Sequence, residues 1–107
     1  MAKIENRLAE LGITLPAAPA PAANYVPFVR TGNQLFVSGQ ISATAEGLIT
    51  GKLGADLATE EGAAAARRCG LSLIAQAKAA LGDLDRVVPV VNLVGFGNSK
   101  PEFIEPP

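Results

Sequence analysis

The chain has 107 residues, nine Lys+Arg against ten Asp+Glu for a net charge of -1, and no His, no Trp and a single Cys. One thiol and no imidazole exclude an internal disulfide, a Cys/His zinc site and a histidine-activated nucleophile within these residues. Balanced charge, one Tyr and four Phe supply neither a field for phosphates nor a base-stacking platform, so nucleic acid is not an expected partner.

The length suits a single domain spanning 1–107. The amino terminus mixes both charge signs where a signal peptide would be basic and then continuously apolar. No run of about 20 apolar residues occurs, so no membrane partner is expected and the expected location is cytoplasmic. Ile4, Leu8 and Leu11 repeat at helical spacing, which predicts an amphipathic helix from Lys3 to Leu11 ended by Gly12. Pro16 to Asn24, with prolines at 16, 19 and 21, reads as an extended strap tying that helix to the core, or as a flexible tail. Residues 1–24 thus precede a core over 25–107.

Tyr25 to Arg30 and Gln34 to Ser38 read as a hairpin about Thr31-Gly32-Asn33. A polar loop around Ala45-Glu46-Gly47 then leads to a third strand, Leu48 to Leu53, which would complete a meander. Thr59-Glu60-Glu61 marks a helix start, with Thr59 as the cap. Ala66, Gly70, Leu73, Ile74, Ala77 and Leu81 form its predicted inner stripe, with Gln76 among the residues placed elsewhere, and Gly82 is its stop. Val87 to Phe96 is a near-continuous apolar run, predicted to be a strand buried on both faces, with Pro89 at its start, an edge or a bulge. Gly97-Asn98-Ser99-Lys100 reads as a loop and Pro101-Glu102-Phe103 as a first helical turn. The β-β-β-α-β order ends as a second helix begins.

Several of these segments together resemble the RidA family, also called YjgF. They are Leu8-Ala-Glu-Leu-Gly-Ile-Thr-Leu-Pro16, Asn24-Tyr25-Val26-Pro27, Val37-Ser38-Gly39-Gln40-Ile41, Gly51-Lys52-Leu53-Gly54 and Gly82-Asp83-Leu84-Asp85-Arg86-Val87. The opening resembles a branch with an amino-terminal extension. The resemblance implies an α+β, chorismate-mutase-like fold, a mixed sheet with helices on one face, assembled as a homotrimer with a ligand cleft at each subunit interface. It also implies hydrolysis of reactive 2-enamino or 2-imino acids to keto acids and ammonia, with no cofactor and no metal. The alternative is a non-catalytic trimer of the same fold that binds a small carboxylate metabolite.

In the family an Arg grips the substrate carboxylate, a Glu positions water, and a Tyr near the first strand and the Ser before Gly-Gln line the cleft. Tyr25 and Ser38 match the last two, and Gly39 and Asn92 join them as ligand-cleft candidates. The Arg and Glu have no counterpart among these residues. The expectation is that they lie outside them, because the polypeptide continues past Pro107 or because a carboxy-terminal fragment of the same protein completes the fold; a naturally short chain is the third account.

Each candidate has a plainer reading. Tyr25 opens a strand, Ser38 satisfies a nearby backbone group, Gly39 marks a bulge, and Asn92 bonds to backbone. Arg30 reads as a solvated strand end and Arg67-Arg68 as the wet face of the long helix. Cys69 reads as inert packing, or as a thiolate if its flanking arginines and an open site favour one.

Overall fold

The structure, a computed structural model, describes residues 2–21, 23–44 and 46–104. Ala22 of the predicted strap, Ala45 of the predicted loop and the closing Pro106-Pro107 lie outside the described residues. The chain forms two compact units, Met1–Gln40 with Leu71–Val90, and Ile41–Gly70 with Val91–Pro107.

The first unit opens with α1, Lys3–Glu10. Leu11 caps it and Gly12 turns at φ 71°. The Gly12 amide donates to Ala9 O at 3.0 Å and the Ile13 amide to Leu8 O at 2.9 Å, the paired bonds of a Schellman stop that a glycine makes without strain. No residue of α1 is buried. What holds the helix is polar: the Asp85 carboxylate accepts the Lys3 amide at 2.8 Å and the Ile4 amide at 2.9 Å, satisfying two of the free donors at the helix start. Lys78 adds an ion pair to Glu5 at 3.1 Å.

The hairpin is β1, Phe28–Thr31, against β2, Gln34–Val37. Phe28 faces Val37 and Thr31 faces Gln34 across a two-residue turn whose Gly32 has φ 55°. Both strands are shorter than predicted, so that Tyr25 lies before β1 and Ser38 after β2, yet the Ser38 amide continues the pairing by donating to Pro27 O at 2.9 Å. The long helix, α2, runs Thr59–Leu81. Its carboxy-terminal half belongs to this unit and ends at Gly82 (φ 79°), as expected.

The buried face of α2 differs from the predicted stripe. Ser72, Ala75 and Gln76 are the buried positions in this half, while Leu73, Ile74 and Ala77 are half-buried and Ala66 is exposed. Apolar periodicity misplaced Gln76 because it counts side chains by hydrophobicity, whereas this amide is inward where two acceptors meet it. After α2, a 3₁₀ turn at Leu84–Arg86 is capped by Asp83, whose carboxylate accepts the Asp85 amide at 2.9 Å. Leu84 is buried, and Arg86 Nη1 donates to Leu81 O at 2.9 Å, closing a free carbonyl at the end of α2.

In the second unit a short sheet pairs β3, Ala43–Thr44, with β4, Gly47–Leu48. The predicted meander is therefore two separate two-stranded antiparallel sheets. Strand pairing stops soon after Leu48, and the chain turns at Lys52, whose carbonyl accepts from Ala55, Asp56 and Leu57. The predicted third strand survives as an isolated bridge: the Leu53 amide donates to Asn98 O at 2.9 Å and the Lys100 amide to Leu53 O at 3.0 Å. Gly54 at φ 87° is needed there, since a Cβ would sit 2.7 Å from Phe103 Cδ1 and 2.9 Å from Lys100 Cε. α2 starts at Thr59, so the cap position falls at Ala58 rather than at the predicted Thr59, and Glu61 reaches back to accept the Ala58 amide at 2.9 Å, the return arm of a capping box.

The predicted buried strand from Val87 to Phe96 does not form. Among the described residues no strand pairs with it, and Val87 is half-buried while the side chains from Val88 to Phe96 are exposed, Val88 at 90% and Phe96 at 97%. An apolar run becomes a strand only when a neighbour completes its ladder and covers its faces. Pro101 to Phe103 makes one turn, closed by the Phe103 amide on Lys100 O at 3.1 Å, rather than a helix start.

The Asp85 clip predicts an acid-sensitive α1. Hydrogen bonds from the Ile4 and Lys3 amides lower the Asp85 pKa below its ordinary value. The stabilisation is therefore complete above the unfolded carboxylate pKa of about 3.9 and is lost as pH falls through the lower folded value. Hydrogen exchange read by NMR should show protected Lys3 and Ile4 amides at neutral pH, loss of that protection in strong acid, and none at any pH in Asp85→Ala.

Candidate functional site

Four sequence candidates fall into two groups. Tyr25, Ser38 and Gly39 belong to the first unit and Asn92 to the second, where it is exposed on the unpaired apolar run. The first three form a corner at the open end of the hairpin.

Ser38 closes that corner twice. Its amide donates to Pro27 O, and its hydroxyl donates to Val26 O at 2.5 Å. The plainer reading of Ser38 thus holds, and it has a chemical consequence. With the one hydroxyl proton directed at Val26, the oxygen keeps its lone pairs for a second partner and meets it as an acceptor. Tyr25 is adjacent to Val26 and 46% exposed, its own amide held by Ala23 O at 2.9 Å. Gly39 is exposed, and a Cβ there would meet no atom within 4 Å, so no contact inside the chain demands a glycine.

Behind Ser38 stands a pair of side-chain amides. Gln40 Nε2 donates to Ser38 O at 3.0 Å and lies 3.3 Å from Gly39 O. Gln76, 2% exposed on α2, donates through Nε2 to Pro19 O at 2.7 Å and meets Gln40 Oε1 at 3.5 Å. Sequence reading singled out neither glutamine as a site residue. The available signal was Gln40 in the Ser-Gly-Gln-Ile segment; nothing in the helical pattern marked Gln76.

The other flagged residues are structural or solvated. Arg30 is exposed on β1. Arg67 is exposed, but Arg68 is half-buried and its Nε donates to Ala43 O, fastening the small sheet to the amino-terminal half of α2 rather than lying on a wet face. Partial burial raises the Cys69 pKa, so the neutral thiol is favoured and the thiolate alternative is not supported. Among the described residues no cluster of His, Cys, Asp or Glu could hold a metal, and no helix is long and apolar enough to cross a membrane.

Residues 5–107 match the family model described as "YjgF/chorismate_mutase-like, putative endoribonuclease". The chain belongs to this family. Protein TCP17 of Trypanosoma cruzi is 54% identical over 104 residues, covering 96% of this chain and 65% of that protein. The crystal structure of Atu1372 from Agrobacterium tumefaciens, described as of unknown function, is similar at 46% identity and a TM-score of 0.83, over 95% of this chain and 63% of its own. A structure from Shewanella oneidensis MR-1, described as a putative endoribonuclease, is similar at 43% identity and a TM-score of 0.72, over 77% of this chain and 55% of its own. The α+β fold is thus of the YjgF/chorismate-mutase-like type, and the chain spans less than two thirds of the length of each of these relatives.

Two outcomes are expected. Ser38→Ala removes a bond to a backbone carbonyl and should lower stability by about 0.5 to 1.5 kcal/mol in a urea titration. Cys69 should alkylate more slowly than a free model thiol at pH 8, with the rate rising through a midpoint above the ordinary thiol value.

Proposed function

We propose that this chain supplies the Tyr25–Ser38 wall of a ligand cleft in a homotrimeric, cytoplasmic enamine/imine deaminase. The observation that carries the reading is the Ser38 hydroxyl, committed as donor to Val26 O and therefore presented to the cleft as an acceptor. An iminium N–H or the attacking water offers the complementary donor, whereas a carboxylate oxygen does not. Tyr25 precedes Val26, the acceptor of the Ser38 proton, and the open space at Gly39 leaves room for ligand or a neighbouring subunit. Exposed Val29 and Phe36, paired across the hairpin, provide apolar surface of the kind assemblies bury.

In this reading the substrate is a small 2-imino acid. Water adds to the C=N carbon and the C–N bond then breaks, so that 2-iminopropanoate and water give pyruvate and ammonia. The carboxylate needs a cationic fork, and a bidentate Arg is the fitting group. Among the described residues no side chain hydrogen-bonded around Ser38 supplies one, and in this reading the Arg and the water-positioning Glu come from chain outside these residues. No cofactor enters the reaction.

A second reading is favoured by one observation: the side chains bonded around Ser38, those of Gln40 and Gln76, are amides that do not transfer protons near neutral pH. The trimer would then bind a small carboxylate without turning it over. RNA cleavage fits less well, because the chain has no His and a net charge of -1.

The deciding experiment mixes the intact protein with freshly generated 2-iminopropanoate and follows its decay, with pyruvate binding measured by calorimetry. Decay faster than in buffer supports the deaminase. Pyruvate binding without acceleration supports the binding protein, and neither effect overturns both readings.

A further inference from the structure

Gln76 is a long polar side chain on the buried face of a helix. Burying its amide is favourable only if the donors find acceptors. Both acceptors belong to segments distant in sequence: the Pro19 carbonyl in the strap and the Gln40 side chain after the hairpin. Donor direction fixes the order of the relay. Gln76 gives protons to Pro19 and to Gln40 Oε1, and Gln40 turns its own nitrogen to the Ser38 carbonyl. Pro19 cannot donate in return and none of the described strap residues joins a strand ladder, so this side-chain bond ties the strap to the helix at Pro19.

We propose that Gln76 is a positioning residue that couples the strap, through Gln40, to the Ser38 wall, so that seating of the strap sets the placement of Ser38 and Tyr25 toward a ligand. The inference rests on the reading of that corner as a ligand wall. It makes the amino-terminal segment a regulator of the site: a strap displaced from α2 removes one partner of Gln76 and loosens the hold on Gln40.

Two variants of the full-length protein test it. Gln76→Met keeps length and volume but loses both donors; Gln40→Met cuts the relay at a half-buried position and serves where the first variant fails to fold. Native-state hydrogen exchange is read at the Ser38 amide relative to the β1–β2 ladder amides, alongside KM and kcat for 2-iminopropanoate. The expected result in each folded variant is Ser38 exchange about tenfold faster relative to the ladder, the loss of roughly one net hydrogen bond, with KM raised more than kcat is lowered. A purely structural Gln76 would lower the melting temperature while leaving the exchange ratio and KM as in wild type, and that result overturns the proposal. If the wild type neither turns over the imine nor binds pyruvate, the functional reading fails separately, and the exchange ratio alone then decides the coupling.

Discussion

A buried side-chain amide ties together segments of the first unit that no strand pairing joins. Gln76 has two donors to satisfy away from water, and leaving either unmade would cost on the order of 1 to 3 kcal/mol. The strap and the segment after the hairpin lie where their acceptors meet those donors. Three parts of the chain that share no regular secondary structure are therefore held in register by one functional group. Ser38 inherits its position from that arrangement, because its carbonyl takes the next proton in the series.

The Gly82-Asp83-Leu84-Asp85-Arg86 turn shows the same economy. Gly82 ends α2, Asp83 caps the 3₁₀ turn, Leu84 enters the core, Asp85 clips the start of α1 and Arg86 closes a carbonyl at the end of α2. The five residues that carried part of the family resemblance thus each do identifiable structural work. None of them lines the Tyr25–Ser38 corner, so a familiar segment here marks the scaffold rather than the chemistry.

Hydrophobicity tells a different story after the 3₁₀ turn and in the second unit. The run from Val87 to Phe96 has the composition of a buried strand and the exposure of a loop, because β-structure is a property of pairs and faces rather than of a single segment. Leu53, by contrast, is buried and bridged to Ser99 although only a fragment of its predicted strand forms. Composition identified surfaces that seek cover; it did not say which of them would find it among the described residues.

Both helices, the hairpin turn and the glycine stops at Gly12 and Gly82 were legible from the sequence, since each depends on neighbours within a few positions. The family was legible too, from short segments kept in order along the chain. Tertiary structure alone decided that Asp85 would serve a helix more than eighty residues away, that Gln76 would face inward, and that the Ser38 proton would go to Val26. Those outcomes depend on which donors and acceptors meet in space, and a hydrogen bond between distant segments leaves no periodicity in the sequence to read.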